Sequence, residues 1–221
     1  MKPCAIFDLD KTIIDLSSEK RFIRYLLSKR AMTTFDLLAG VWQIFRTFPN
    51  DAINTWRTNK RYLKGKDHYQ IEGLAYRFFS EVLENHISKK AIAKIEEHKN
   101  LGHKVVLLSA TLEILLRPFK DRLGPDYLVG TKLQTENGII TGRIEGLYPF
   151  GINKAIIAKR LAGSYGFDLG NSYAYGDHFG DIGLLKIVGN AVAVDPDRKL
   201  TKAGKKEGWR MENWKGGSSV A

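Results

Sequence analysis

The sequence predicts an α/β fold, a doubly wound parallel sheet with an all-helical segment inserted after its first strand. Three observations predict it. Short apolar runs at 4–7, 103–108, 172–175 and 191–194 each have the length of a buried strand. Stretches with apolar residues at helical spacing separate the later runs, as right-handed crossovers between parallel strands require. From 14 to 87, helical patterns follow one another with no strand candidate among them.

The first run ends in Asp8, Leu9, Asp10, Lys11 and Thr12. Side chains two apart on an extended chain share a face, so Asp8 and Asp10 converge just beyond the strand. Open α/β sheets hold their ligands there, at the carboxyl ends of strands. Adjacent carboxylates repel, and a divalent cation or a shared proton relieves the repulsion. Thr12 offers a hydroxyl to fix the turn. The same residues also fit a polar turn with an aspartate as helix cap, and later stretches have to decide between the two.

Residues 13–30 carry Phe22, Ile23, Leu26 and Leu27 at helical spacing, with Asp15, Ser17 and Ser18 as N-cap candidates. A stretch at 35–48 is rich in large apolar residues, Pro49-Asn50-Asp51 breaks it, and helical patterns resume at 52–63 and 71–85. Two readings of the insert stand: a lid over the carboxylates, or helices packed on the core.

Residues 88–100 read as a helix capped by Ser88 and ended by Leu101-Gly102. The strand at 103–108 leads into Ser109, Ala110 and Thr111, with a helix from Leu112. This is either an anion-binding arrangement at a helix start or a pair of plain helix caps. Pro118 is expected to kink or split that helix. Asn137-Gly138 within 126–146 marks a hairpin. After a turn at Tyr148-Pro149-Phe150-Gly151, the helix at 153–165 carries Lys154 in its first turn. A cation there opposes the helix dipole, which hints at function, although surface lysines are commonly inert. The strand at 172–175 ends in Gly176, Asp177, His178, Phe179, Gly180 and Asp181, and a helix spans 182–187. Asp181 falls one helical turn beyond Asp177. The residues beyond Pro196 hold Trp209 and Trp214 among basic residues, with no clear pattern.

With 221 residues, 43% hydrophobic and 27% charged, the chain suits one large domain or a core domain with a smaller insert. Its one cysteine, Cys4, excludes an internal disulfide and a thiolate metal cluster. Few apolar residues precede Asp8, and no uncharged apolar run has the length of a bilayer span. A cytoplasmic setting is therefore expected. A net charge of +11 favours anionic partners: nucleic acid, acidic lipid or phosphorylated small molecules. The basic stretch at 198–215 reads as a solvated surface or as a peripheral contact with anionic lipid. No nucleic-acid-binding motif occurs, and no nucleic acid partner is expected.

Three strand ends thus bring Asp8 and Asp10, Ser109, and Asp177 with Asp181 to one crevice within reach of Lys154. Hard oxygen ligands without a His or Cys cluster favour Mg²⁺ over zinc. Such a site suits phosphoryl transfer, with an aspartate as nucleophile and a second carboxyl as acid and base.

Taken together, Asp8-Leu9-Asp10-Lys11-Thr12, Leu108-Ser109-Ala110-Thr111, Lys154 and Gly176-Asp177-His178-Phe179-Gly180-Asp181 resemble the four motifs of the haloacid dehalogenase-like hydrolases. The helical insert resembles the cap of their phosphoserine-phosphatase-like branch, subfamily IB. The resemblance implies a core of 1–13 and 88–221 and a cap of 14–87. It implies Asp8 as nucleophile and Asp10 as general acid/base. It further implies Mg²⁺ bound by Asp8, the Asp10 carbonyl and Asp177, with Asp181 in support, and phosphate held by Ser109 and Lys154. The expected substrate is a small phosphorylated metabolite such as phosphoserine, or a lipid phosphate. Transfer to an acceptor other than water, or anion binding by a basic protein, are the alternatives. Phosphoserine phosphatases of this branch grip their amino acid with a cap glutamate and a cap arginine. Here Glu19 is slightly offset, and Arg57 and Arg61 match only loosely. The apolar stretch at 35–48 fits core packing or a lipid-facing pocket.

Overall fold

The computed structural model describes residues 1–36, 38 and 59–215. Most of the apolar stretch at 35–48, most of the helix expected at 52–63, and Arg57 lie outside the described residues. Among the described residues seven strands form a single sheet: β1 (Cys4–Phe7), β2 (Lys104–Leu112), β3 (Tyr127–Glu136), β4 (Ile139–Glu145), β5 (Tyr173–Gly176), β6 (Asn190–Val194) and β7 (Arg210–Glu212). Their order is β4-β3-β2-β1-β5-β6-β7, and every pair is parallel except the β3–β4 hairpin. The helices are α1 (Ser18–Ser28), α2 (His68–Phe78), α3 (Lys89–Asn100), α4 (Glu113–Leu123), α5 (Ile152–Tyr165), α6 (Ile182–Leu185) and α7 (Arg198–Glu207). No helix of the described residues is long and apolar enough to cross a membrane.

The chain builds outward from β1 toward β2 on one side and later toward β5 on the other. The strand order therefore reverses at β1, whose carboxyl end opens into the crevice where such sheets bind ligands. All four residues of β1 are buried because both faces are covered. Ala5 and Phe7 face a cluster with Val105 and Leu107, closed by Phe22 and Leu26 of α1, Phe78 of α2 and Ile95 of α3. Cys4 and Ile6 face the other layer, with Val106 and Leu108 against Ala158 of α5, Leu184 of α6 and Leu200 of α7. The Phe7 ring stacks on Tyr175 with centroids 4.4 Å apart.

Several expectations need correction. The first helix begins at Ser18 rather than 13, because the preceding residues wrap the turn and Ile14 bridges to Asp10 and Ile87. The helix expected at 71–85 starts at His68, capped by Asp67, and after Phe78 widens at Phe79–Leu83 and tightens at Glu84–His86. Ser109 and Thr111 cap no helix, since β2 continues through both to Leu112 with an irregular register against β3. Thr131 of β3 holds that extension by donating its hydroxyl to the Ala110 carbonyl at 2.6 Å. Pro118 does not split α4, which runs unbroken to Leu123 with the proline buried.

Residues 197–215 form regular structure, contrary to the patternless reading. Asp197 caps α7 by accepting from the Leu200 amide at 2.7 Å, and β7 then adds to β6 in parallel. Trp214 is buried against Tyr175. The hairpin forms at Asn137-Gly138, both with positive φ, 51° and 80°, as a type I′ turn requires.

Because Phe7 is fully buried at the centre of the sheet, Phe7→Ala is expected to destabilise the fold by about 3–5 kcal/mol, read as a shifted denaturant midpoint.

Candidate active site

Asp8 stands one residue beyond β1, its amide still in the sheet ladder at 3.0 Å from the Tyr175 carbonyl. The chain then turns sharply, with the amides of Thr12, Ile13 and Ile14 all pointing at the Leu9 carbonyl at 3.2, 2.9 and 3.1 Å. Lys11 takes a left-handed conformation, φ 60°, to close this turn, a strained placement of the kind found at functional sites. The Thr12 hydroxyl does not fix the turn as expected: it is buried without a hydrogen-bond partner among the described residues, and the backbone amide closes the turn instead.

Lys154, the third residue of α5, is buried, and its Nζ lies 2.7 Å from Asp8 Oδ1 and 2.5 Å from Asp181 Oδ1. Its unfavourable place at a helix start is thus balanced by two carboxylates. Burial alone would lower the ammonium pKa, but Asp181 and then Asp8 outweigh it and raise it. The lysine stays charged.

Asp177 follows β5 directly. One oxygen each of Asp8, Asp177 and Asp181 lie within 4.8 Å of one another, and all three residues are buried. Burial, then the charges of Asp8 and Asp181, push the Asp177 carboxyl up to about 8. Burial also raises Asp8, against the pull of Lys154 and of the Ser109 hydroxyl beside it. Asp10 is outside this triad. Burial pushes it up to about 7, partly opposed by the Ser18 amide at the start of α1, which donates to Asp10 Oδ1 at 3.0 Å. Ser109, buried on the extended β2, accepts weakly from the Thr111 amide at 3.4 Å.

The loop after β5 is tightly held. Asp181 Oδ2 accepts from the His178 amide at 3.1 Å, and the His178 ring accepts from the Gly180 amide at 3.1 Å. A tight turn over Phe179–Asp181 leads into α6, which starts at Ile182 as expected and ends at Leu185 rather than 187. Gly176 has no room for a side chain: a Cβ there would stand 2.6 Å from Asp181 Cγ.

The six expected site residues Asp8, Asp10, Ser109, Lys154, Asp177 and Asp181 all line one cleft of about 250 Å³. Arg61 does not reach it. It borders a separate cavity of about 820 Å³ beside the hairpin, with Lys64 and Gly142. Glu19 stands at the edge of a neighbouring hollow, its carboxylate taken by Lys60 at 2.6 and 2.9 Å and by the Tyr62 hydroxyl at 2.7 Å. Sequence reading missed three other contributors. Tyr148 and Phe150 line the cleft, and their nearness to Lys154 was the available signal. Asp197 secures the Asp177 loop: its amide donates to the Asp177 carbonyl at 2.8 Å and its carboxylate accepts from the Phe179 amide at 3.0 Å. An N-cap aspartate three residues before Leu200 was legible, but its partner across the fold was not.

The family model for haloacid dehalogenase-like hydrolases matches residues 5–186. The chain belongs to this family. It is 30% identical over 222 residues to a histidinol-phosphatase of Neisseria meningitidis, covering 97% of this chain and 100% of that one. It is 28% identical to the phosphoserine phosphatase SerB1 of Mycobacterium tuberculosis, covering 96% of this chain and 70% of that one. A crystal structure from Bordetella pertussis shares its fold at a TM-score of 0.81 and 22% identity, over 96% and 98% of the two chains. A phosphoserine phosphatase with a phospho-aspartyl intermediate analogue does so at 0.67 and 23%, over 97% and 94%. This hydrolase is an enzyme of the phosphatase class in the phosphoserine-phosphatase-like branch.

A group of carboxylates whose protons are held by mutual repulsion fits a hard divalent cation. The unfolded Asp177 titrates near 3.8 and the folded one near 8, so the metal-free fold binds the extra proton and loses stability as pH rises through this window. Asp177→Asn is therefore expected to raise the melting temperature of the metal-free protein at pH 8 and to remove any further rise on addition of Mg²⁺. Calorimetry with and without the ion checks both.

Proposed function

We propose that this hydrolase cleaves phosphomonoesters through an aspartyl-phosphate on Asp8, with Asp10 as general acid/base and Mg²⁺ as cofactor. The observation that carries the reading is the buried Lys154 bridging Asp8 and Asp181, with Asp177 alongside. The bound ion would neutralise charge on the phosphoryl oxygens. Asp8, Asp177 and the Asp10 carbonyl would hold it, with Asp181 in support.

Lys154 fixes Asp8 Oδ1, which leaves Oδ2 to attack phosphorus. The bond from phosphorus to the leaving oxygen breaks, and that oxygen takes the proton of Asp10. The Asp10 carboxylate then accepts a proton from water, whose oxygen attacks the same phosphorus and releases phosphate and the Asp8 carboxylate. A carboxyl pushed up to about 7 donates and accepts with similar ease near neutrality. Ser109 and Lys154 hold the transferring phosphoryl group. The proposed core is 1–13 and 88–221, and the proposed cap is 14–87, which contributes Ser17 and Lys20 to the wall of the cleft. The substrate class is a small phosphorylated metabolite. Phosphoserine and histidinol phosphate, from the names of the relatives, are the first compounds to try.

Asp8→Asn is expected to lower turnover of p-nitrophenyl phosphate by at least about 10³-fold with an unchanged circular dichroism spectrum. Retained turnover in the folded variant contradicts the mechanism.

A further inference from the structure

The cleft does not end at the phosphate site. It continues toward α1 as a hollow of about 450 Å³ that shares Asp10, Lys20, Thr111 and Tyr148 with it. In-line attack by Asp8 on a bound monoester directs the leaving oxygen toward Asp10, which borders this hollow, so the leaving group would lie in it.

The fixed charges of the hollow can be counted. Glu19 is neutralised in place, both of its oxygens bonded by Lys60 and one also by Tyr62. Lys60 is buried, its side chain 3% exposed, so this pair is not open to exchange with solvent ions. Asp10 Oδ1 is held by the Ser18 amide at 3.0 Å. What remains is Lys20, on the first turn of α1, which lines both parts of the cleft and forms no ion pair or hydrogen bond among the described residues. An unpaired ammonium beside low-dielectric walls attracts negative charge. Lys20 is exposed, which places its ammonium at the mouth rather than against the phosphorus atom.

We propose that Lys20 selects phosphomonoesters whose leaving group carries a second anionic group, and that the Glu19–Lys60 pair does not serve cationic leaving groups. This rests on the reading of Asp8 as the phosphoryl acceptor. A carboxylate and a second phosphate present the same charge at the mouth, and the two are separated by experiment.

The test uses the full chain with Mg²⁺ and inhibition of p-nitrophenyl phosphate hydrolysis, so that compounds that bind without turnover still count. The competitors are glycerol 3-phosphate, 3-phosphoglycerate, 2,3-bisphosphoglycerate and phosphoethanolamine. The inhibition constant is expected to be lowest for 3-phosphoglycerate or the bisphosphate, which identifies the preferred anion, and highest for phosphoethanolamine. In Lys20→Gln the ratio of constants, phosphoethanolamine to 3-phosphoglycerate, is expected to fall about tenfold, equivalent to about 1.4 kcal/mol. Lys20→Arg should keep the ratio and Lys20→Glu should invert it. A ratio near one in the parent protein, or unchanged in Lys20→Gln, overturns the proposal while leaving the hydrolase reading intact. Hydrolysis that persists in Asp8→Asn overturns the reading of Asp8 as the phosphoryl acceptor, and this proposal with it.

Discussion

The site depends on one buried ammonium. Lys154 lies within 2.7 Å of Asp8 and 2.5 Å of Asp181, in a cleft where three buried carboxyl groups gather beside the half-buried Asp10. Burying one unpaired carboxylate is costly, and burying several together is more so. Lys154 offsets part of that repulsion and leaves the rest, as the raised values of Asp10 and Asp177 show. The unbalanced remainder suits the site to a cation and to holding a proton near neutral pH. Stability is given up locally for function, and the two covered faces of the sheet compensate.

The sheet makes this concentration of charge achievable. β1 is central, and the chain departs from it in both directions, so the ends of β1, β2 and β5 open on the same crevice. The buried alternation of Ala5 and Phe7 on one face and Cys4 and Ile6 on the other anchors β1 from both sides. Asp8 is then held by its own backbone, through the bond to Tyr175, before any side chain contributes. The loop after β5 is held equally tightly, by the contact of Gly176 with Asp181 and by Asp197 reaching across from α7.

Much of this was legible in the residues themselves. Apolar runs of strand length that end in Asp8, Ser109 and Asp177 announce both the parallel sheet and the crevice, because period and polarity change at the same positions. Asn137-Gly138 announces the hairpin for an equally local reason. What was not legible depends on distant partners. The hydroxyls of Ser109 and Thr111 look like helix caps until Thr131 is seen to hold β2 extended through them. The short β7 becomes a strand only because β6 lies beside it. Glu19 looks like a free recognition residue in sequence, and only the fold brings Lys60 to it across forty-one positions.

The central claim is that acidic groups far apart in the chain share one cation beside Asp8. The most direct measurement is an anomalous difference map from crystals of the protein grown with Mn²⁺ as a substitute for Mg²⁺. The account predicts one strong peak among the oxygens of Asp8 and Asp177 and the Asp10 carbonyl. A peak elsewhere only, or none at saturating Mn²⁺, contradicts it.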